Sequence, residues 1–108
     1  MIQQITVQQL KTRLEKGEST YLLDIRQQWE HDTAALPGSV LIPLDQLSLR
    51  AEEIQPAEEA LVVVYCHHGI RSLSGAAMLQ HLGFRNVVSL AGGIDAWSLH
   101  VDPKLPRY

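Results

Sequence analysis

The run Leu61–Tyr65 constrains the fold of this chain more than any other segment does. Its sequence, LVVVY, is continuous, apolar and rich in β-branched residues, which is typical of a short strand buried on both faces of a parallel sheet. The only cysteine of the chain, Cys66, follows it directly, and apolar residues then recur at helical spacing over residues 72–82. This order predicts a buried strand, a tight turn that carries Cys66, and a helix.

The rest of the chain alternates predicted strands with predicted helices. A first helix begins after Thr6, whose side chain forms a capping box with Gln9, and it ends before Gly17. Further strands are predicted at residues 21–25, 39–42 and 86–90, and further helices at residues 27–35, 44–54 and 94–99. Strands that alternate with helices imply a parallel sheet, and 108 residues with 45% hydrophobic content can close one core. We therefore expect one α/β domain over residues 1–108.

Composition and charge disfavour several classes of function. The net charge is −3 and the nine Lys and Arg residues are spread along the chain, so the sequence offers no basic stripe for nucleic acid. No apolar run approaches the roughly 20 residues that span a bilayer. A single cysteine excludes an intramolecular disulfide, and the first residues, MIQQ, do not resemble a signal peptide. We expect a cytoplasmic protein that binds neither membranes nor nucleic acid.

Cys66 is placed where its sulfur can act as an anion. In open α/β sheets, ligands bind beyond the carboxyl ends of the strands, where the N–H groups that open the next helix converge. Helix N-termini and nearby cations stabilise the thiolate, which is the nucleophilic form of cysteine. Arg71 and the free amides around Gly69 supply both influences. The alternative, an inert buried cysteine that serves as a small hydrophobic residue, is disfavoured by this loop.

Several segments of the chain resemble the rhodanese-like sulfurtransferases. They are CHHGIRS at residues 66–72, LLDIR at 22–26, LPGSVLIP at 36–43, GF at 83–84 and LAGGIDAW at 90–97. The resemblance covers nearly the whole chain, and it implies a three-layer α/β domain with a central parallel sheet of four to five short strands and helices on both faces. Where the family has Gly-His-Ile, this chain has Ala34-Ala35-Leu36, so no role is transferred to those positions.

The resemblance also implies a reaction. The Cys66 thiolate would take the sulfane sulfur of thiosulfate, or of a persulfide or polysulfide, and the resulting persulfide would pass it to a thiophilic acceptor. The acceptor would be cyanide in an assay, and a thiol or a partner protein in the cell. No cofactor is expected. The resemblance assigns substrate binding to the loop residues His67, His68, Gly69, Ile70, Arg71 and Ser72. Residues 94–108 further resemble the tail of rhodanese modules attached to sulfur-carrier activating enzymes.

Loop length separates sulfur transfer from phosphoryl transfer. Four residues lie between Cys66 and Arg71, whereas cysteine phosphatases place five between nucleophile and arginine. The smaller ring of N–H donors suits a persulfide sulfur better than a tetrahedral phosphate. A phosphatase or an arsenate reductase is therefore a weaker alternative. The other alternative is a catalytically silent module that binds partners or senses redox state, because an exposed thiolate oxidises readily.

Two polar residues at the end of a predicted strand are assigned supporting roles. Asp24 either caps a helix or pairs with Arg26. Arg26 either adds positive potential at the rim of the site or covers apolar surface with its stem. Trp29 and Trp97 are interpreted as packing residues rather than substrate platforms.

The paired histidines after Cys66 suggest a metal site or a base, and we expect neither. Adjacent histidines on a loop are expected to point in divergent directions, so no metal is predicted. His67 and His68 then contribute backbone N–H groups, although a protonated ring that stabilises the thiolate is an open alternative. The hydroxyl of Ser72 either donates to the thiolate or caps the helix.

Overall fold

Five parallel strands form one sheet in the order β1-β5-β4-β2-β3. The structure is a computed structural model that describes residues 2–108. The strands are β1 (Gln4–Ile5), β2 (Thr20–Asp24), β3 (Val40–Leu41), β4 (Leu61–Tyr65) and β5 (Val87–Leu90). The helices are α1 (Val7–Glu15), α2 (Gln28–Thr33), α3 (Leu47–Arg50), α4 (Arg71–His81) and α5 (Gly93–His100). The predicted α/β fold with a parallel sheet is confirmed.

Alternation along β4 divides the core between the two faces of the sheet. Val63 and Tyr65 belong to one apolar cluster, which also takes in residues of α1 and α5. Val62, Val64 and Cys66 belong to the other cluster, which takes in residues of α3 and α4. Helices therefore cover both faces, as the three-layer prediction requires, and the Cys66 side chain lies on the α4 side. Among the described residues, no helix combines the length and apolarity that a membrane span requires.

Local signals predicted α1 and β4 well. Thr6 Oγ1 accepts from the Gln9 N–H at 3.1 Å, and the Thr6 N–H donates to Gln9 Oε1 at 2.9 Å, so the predicted capping box is present. The β4 bounds agree with the predicted run, because a short, β-branched, continuous apolar sequence is typical of a strand buried on both faces of a parallel sheet.

Two elements differ from the prediction. β1 was not predicted, because it has only two residues and depends on bonds to β5 that are remote in sequence. The helix predicted at residues 44–54 is broken into α3 and two flanking 3-10 turns, Leu44–Gln46 and Ala51–Glu53. Leu47 is fully buried there while Leu49 is 83% exposed, so this segment has no continuous apolar stripe to hold a longer helix against the sheet.

The two tryptophans behave differently. Trp97 is buried in the α1 and α5 cluster, as expected for a packing residue. Trp29 does not pack in the core: it is 60% exposed, although its ring packs against that of Tyr108. The short helix α2 turns the neighbouring Glu30, and not Trp29, toward the interior.

Candidate active site

Cys66 lies at the carboxyl end of β4, at the start of the loop that leads into α4. The residue is buried, at 1% exposure, but its sulfur is not surrounded by hydrocarbon alone. Sγ accepts hydrogen bonds from the backbone N–H groups of Gly69 at 3.2 Å and Ser72 at 3.3 Å. Two main-chain donors and the N-terminal end of α4 thus converge on one sulfur atom. Such an arrangement stabilises negative charge on sulfur.

The N-terminus of α5 fixes the peptide groups at the start of this loop. The N–H of Ile94 donates to the Cys66 carbonyl at 2.9 Å, and the N–H of Asp95 donates to the His67 carbonyl at 3.0 Å. Gly93 permits this approach: its φ is +58°, and a Cβ there would lie 2.5 Å from both carbonyl oxygens. These two hydrogen bonds hold the peptide groups of Cys66 and His67 against α5 and so restrict the conformation of the start of the loop.

Gly69 is required at its position for two reasons. Its φ is +95°, in the left-handed region that favours glycine. A Cβ would also lie 2.8 Å from the Gly92 nitrogen and 3.2 Å from the Leu90 carbonyl oxygen. The loop is therefore packed against the segment between β5 and α5, and that packing aims the Gly69 N–H at Cys66.

Ser72 contributes a hydroxyl as well as an amide to the surroundings of the sulfur. The Cys66 thiol donates to Ser72 Oγ at 3.5 Å, and Ser72 Oγ lies 2.7 Å from Ser89 Oγ. Both serines are fully buried. Of the two roles considered for this hydroxyl, the structure places it beside the sulfur rather than at a cap of α4. Ser89 was not predicted; its signal was a single polar residue within the apolar strand β5.

Arg71 forms a closed ion pair with Glu30. Arg71 Nη1 donates to Glu30 Oε1 and Nη2 donates to Oε2, each at 2.8 Å. These bonds lower the pKa of Glu30 to about 2, and the same bonds raise the pKa of Arg71. Both groups are therefore charged at neutral pH, and the cation expected to face the donor already has a partner. Glu30, which is 4% exposed, was not among the residues predicted at the site.

Asp24 and Arg26 form a second, fully buried ion pair. Arg26 Nε donates to Asp24 Oδ1 at 2.8 Å and Nη2 donates to Oδ2 at 2.7 Å. Arg26 Nη2 also donates to the Ala34 carbonyl at 2.6 Å. Of the two roles considered for Arg26, positive potential at an exposed rim is not observed, because its side chain is 0% exposed. Of the alternatives for Asp24, pairing with Arg26 is the one observed.

Tyr108 joins the two ion pairs. Its hydroxyl accepts from Arg26 Nη1 at 2.7 Å and donates to Glu30 Oε2 at 2.7 Å. Its ring stacks on His67, with centroids 3.9 Å apart and planes at 10°, and it meets the Trp29 ring in a T-shaped arrangement with centroids 5.6 Å apart. Burial raises the pKa of this hydroxyl to about 12. Sequence reasoning did not place Tyr108 at the site, because nothing in a tail residue indicates where the tail docks.

The two loop histidines stack on each other. The expectation of divergent rings is wrong: the centroids of His67 and His68 lie 3.9 Å apart with planes at 25°. Their ring nitrogens lie within 4.8 Å of a carboxylate oxygen of Asp95, but that carboxylate accepts from Arg107 at 2.9 Å.

The side chains of the outer loop differ in exposure. Burial lowers the pKa of His67, so its ring is neutral at neutral pH and does not supply the positive charge considered as an alternative. Ile70 is 76% exposed. Of the predicted loop residues, Gly69 and Ser72 contact the sulfur directly through their amides.

Comparison with known proteins gives relatives for the whole chain. The family model described as Rhodanese-like domain matches residues 6–100. A sulfurtransferase of Allochromatium vinosum is 34% identical over 100 residues, which cover 93% of this chain and 92% of that protein. A putative sulfur carrier protein of Bacillus subtilis, YrkF, is 32% identical over 97 residues, which cover 90% of this chain and 51% of that protein.

A solved structure agrees with these relatives. Thiosulfate sulfurtransferase from Pseudomonas aeruginosa superposes with a TM-score of 0.85 at 26% identity, covering 98% of this chain and 20% of that chain. The chain also spans only 51% of the Bacillus relative and 38% of a relative from Arabidopsis thaliana, so it corresponds to one part of those longer proteins. By the matched segment, the near full-length relative and the shared architecture, the chain belongs to the rhodanese-like family.

Proposed function

We propose that this chain is a sulfurtransferase that moves sulfane sulfur from thiosulfate, or from a persulfide or polysulfide, to a thiophilic acceptor through a Cys66 persulfide. The single observation that carries the proposal is the pair of backbone amides, from Gly69 and Ser72, that donate to Cys66 Sγ. Relatedness to a sulfurtransferase over nearly the whole chain supports it. On this proposal the 108 residues act as one rhodanese domain without a cofactor or a metal.

The first half of the proposed reaction loads the cysteine. The Cys66 thiolate attacks the outer sulfur of thiosulfate, a sulfur–sulfur bond forms, and the old one breaks with its electron pair leaving on sulfite. The cysteine then carries a persulfide anion. The amides of Gly69 and Ser72 stabilise that anion, because preorganised main-chain donors favour charge that develops near them.

The second half of the proposed reaction transfers the sulfur from Cys66 to an acceptor. A thiophilic acceptor attacks the outer sulfur and the electrons of the broken bond return to the Cys66 thiolate. Because the chain has one cysteine, the persulfide cannot be resolved within the chain and needs an external acceptor. Cyanide serves in an assay, and a thiol or a partner protein serves in the cell; similarity to a putative sulfur carrier protein supports the latter. We further propose a cytoplasmic setting, where reducing conditions keep a lone thiol free.

Intact mass spectrometry tests the proposal. Incubation with thiosulfate is expected to add one sulfur atom, which cyanide or dithiothreitol then removes. Cys66→Ala is the control and takes up no sulfur. A folded wild-type protein that acquires no sulfur from thiosulfate or from a persulfide contradicts the proposal. An aryl phosphatase activity that depends on Cys66 favours the phosphatase alternative instead, and oxidation of Cys66 without sulfur transfer favours the redox-sensing alternative.

A further inference from the structure

We propose that Glu30 determines which sulfur donors the site prefers, because it cancels the charge of Arg71 and so disfavours dianionic thiosulfate relative to donors with a single negative charge. Persulfides and thiosulfonates belong to the favoured class. The inference rests on the proposed function, and it names the donor class for the same site.

The Arg71–Glu30 pair is closed on both sides. Both terminal nitrogens of Arg71 are used by Glu30 at 2.8 Å. Glu30 Oε1 also accepts from the Gln27 N–H at 3.0 Å, and Oε2 accepts from the Tyr108 hydroxyl at 2.7 Å. A donor anion that displaced the carboxylate from Arg71 would have to disrupt four hydrogen bonds to a side chain that is only 5% exposed. The Arg71 side chain is 38% exposed, but its charge is paired with a carboxylate that is itself held in place, so a donor anion does not meet a full unpaired positive charge.

Two other arginines near the loop, Arg26 and Arg107, are also paired with carboxylates. Around the loop there are three arginine–carboxylate pairs: Arg26 with Asp24, Arg71 with Glu30, and Arg107 with Asp95. Each arginine thus has a carboxylate within 2.9 Å. The positive groups that contact the sulfur are dipoles, namely the two backbone amides and the N-terminus of α4, whose end carries roughly half a charge.

Dipoles of this strength stabilise a donor with one negative charge better than a donor with two. The Cys66 thiolate is itself an anion, and a donor must approach it closely enough to form a bond. Repulsion grows with the charge of the donor, because Coulomb energy is proportional to the product of the charges. A full positive charge on Arg71 would offset the second charge of thiosulfate, and Glu30 removes that offset.

Two donors that differ in one charge isolate this effect. Thiosulfate carries two negative charges and leaves as sulfite. Methanethiosulfonate has a methyl group in place of one oxyanion, carries one charge and leaves as methanesulfinate. In both reactions the Cys66 thiolate forms a bond to the outer sulfur, that sulfur's old bond breaks, and the electron pair leaves with the departing group. The product on the protein is the same persulfide anion.

The test compares second-order rate constants for persulfide formation, measured by intact mass, with the two donors. Glu30→Gln is expected to raise the ratio of the thiosulfate rate to the methanethiosulfonate rate, on the order of tenfold, because an unpaired charge on Arg71 attracts a dianion more strongly than a monoanion. Asp32→Asn is the matched control. It removes one negative charge from an exposed residue of the same helix, α2, and its ratio is expected to stay at the wild-type value.

Two further measurements separate charge from structural disturbance. The double variant Glu30→Gln with Arg71→Gln removes both charges and is expected to return the ratio toward the wild-type value. The thiosulfate rate of Glu30→Gln is expected to fall more steeply with added salt than that of the wild type, because an exposed attraction is screened. A structural defect alone would slow both donors together and would not produce this salt dependence.

The outcomes distinguish the two proposals. If the wild type takes sulfur from both donors but Glu30→Gln leaves their ratio unchanged, the inference about Glu30 is wrong and the sulfurtransferase proposal stands. If Asp32→Asn changes the ratio as much as Glu30→Gln does, the effect is not local to Arg71 and the inference is again wrong. If the wild type takes sulfur from neither donor, the proposed function fails and the inference fails with it.

Discussion

Replacement of Gly69 by alanine tests whether the backbone of the loop holds the sulfur. The new Cβ would lie 2.8 Å from the nitrogen of Gly92, a backbone atom that cannot move aside as the end of a flexible side chain would. Alanine would also have to adopt a φ of +95°. Gly83 is a matched control, because its φ is +103° and no atom lies within 4 Å of a Cβ built there.

The expected magnitudes follow from these two contributions. Both variants incur the backbone strain of a non-glycine residue at positive φ, about 1–3 kcal/mol. Only Gly69→Ala adds the overpacking cost, a further ~1–3 kcal/mol, so it should be the less stable of the two by about 2 kcal/mol in urea unfolding. The shift also moves the Gly69 N–H away from Cys66 Sγ. Because loss of one preorganised donor costs about 10²–10³ in rate, even a partial displacement should slow persulfide formation by at least about tenfold.

The assay combines urea denaturation with the rate of sulfur uptake by intact mass, at a temperature where every variant is folded. Gly83→Ala should lose stability but keep the wild-type rate of uptake. If Gly69→Ala were no less stable than Gly83→Ala and took up sulfur at the wild-type rate, the argument from loop packing to sulfur stabilisation would be refuted.

Three further predictions concern the network behind the loop. Tyr108→Phe removes the hydroxyl that bridges Arg26 and Glu30, and it should cost about 1–3 kcal/mol in urea unfolding because a buried donor loses its partner. The pKa of Glu30 is lowered from its ordinary value of 4.5 to about 2. The ionised carboxylate therefore contributes fully to the free energy of unfolding above pH ~4.5, and this contribution is lost as the pH falls toward 2. Glu30→Gln should reduce the change in unfolding free energy across that pH range by up to about 3 kcal/mol. Asp24→Asn leaves Arg26 charged and buried and should cost about 3–5 kcal/mol by thermal or urea unfolding; a loss below 1 kcal/mol would contradict a structural role for the pair.

The parts of the fold that the sequence predicts are those set by local pattern. β4 follows from five consecutive apolar residues, and α1 follows from the Thr6 and Gln9 capping box. β1 has only two residues, and the hydrogen bonds that define it come from β5 near the other end of the chain. The segment at residues 44–54 has helical composition, but burial of only part of it breaks the helix. Elements that depend on remote partners leave no local pattern to read.

The site, like the fold, is predictable from the sequence only where it depends on residues that are close together in the chain. The placement of Cys66 and the direction of the Gly69 and Ser72 amides follow from a strand, a short loop and a helix that are contiguous in sequence. The partner of Arg71 is 41 residues away, and the hydroxyl of Tyr108 reaches Glu30 across 78 residues. A loop sequence shows that an arginine is present. It does not show whether a carboxylate from another helix has already bound it.

Stabilising the sulfur with dipoles, rather than with a free cation, also has a consequence for turnover. In a two-step transfer the persulfide anion is the product of the first half-reaction and the reactant of the second. Any group that stabilises this intermediate more than the second transition state slows the unloading step. A free Arg71 beside the outer sulfur would stabilise the resting persulfide in this way, whereas the Glu30-paired arginine leaves the amides of Gly69 and Ser72 to hold it. Glu30→Gln should therefore accelerate loading from thiosulfate more than transfer from the loaded enzyme to cyanide, because stabilisation of the persulfide opposes the attraction of a freed Arg71 for the cyanide anion. Single-turnover measurements of the two half-reactions would show this difference. Equal acceleration of both halves would contradict this account of how the ion pair acts.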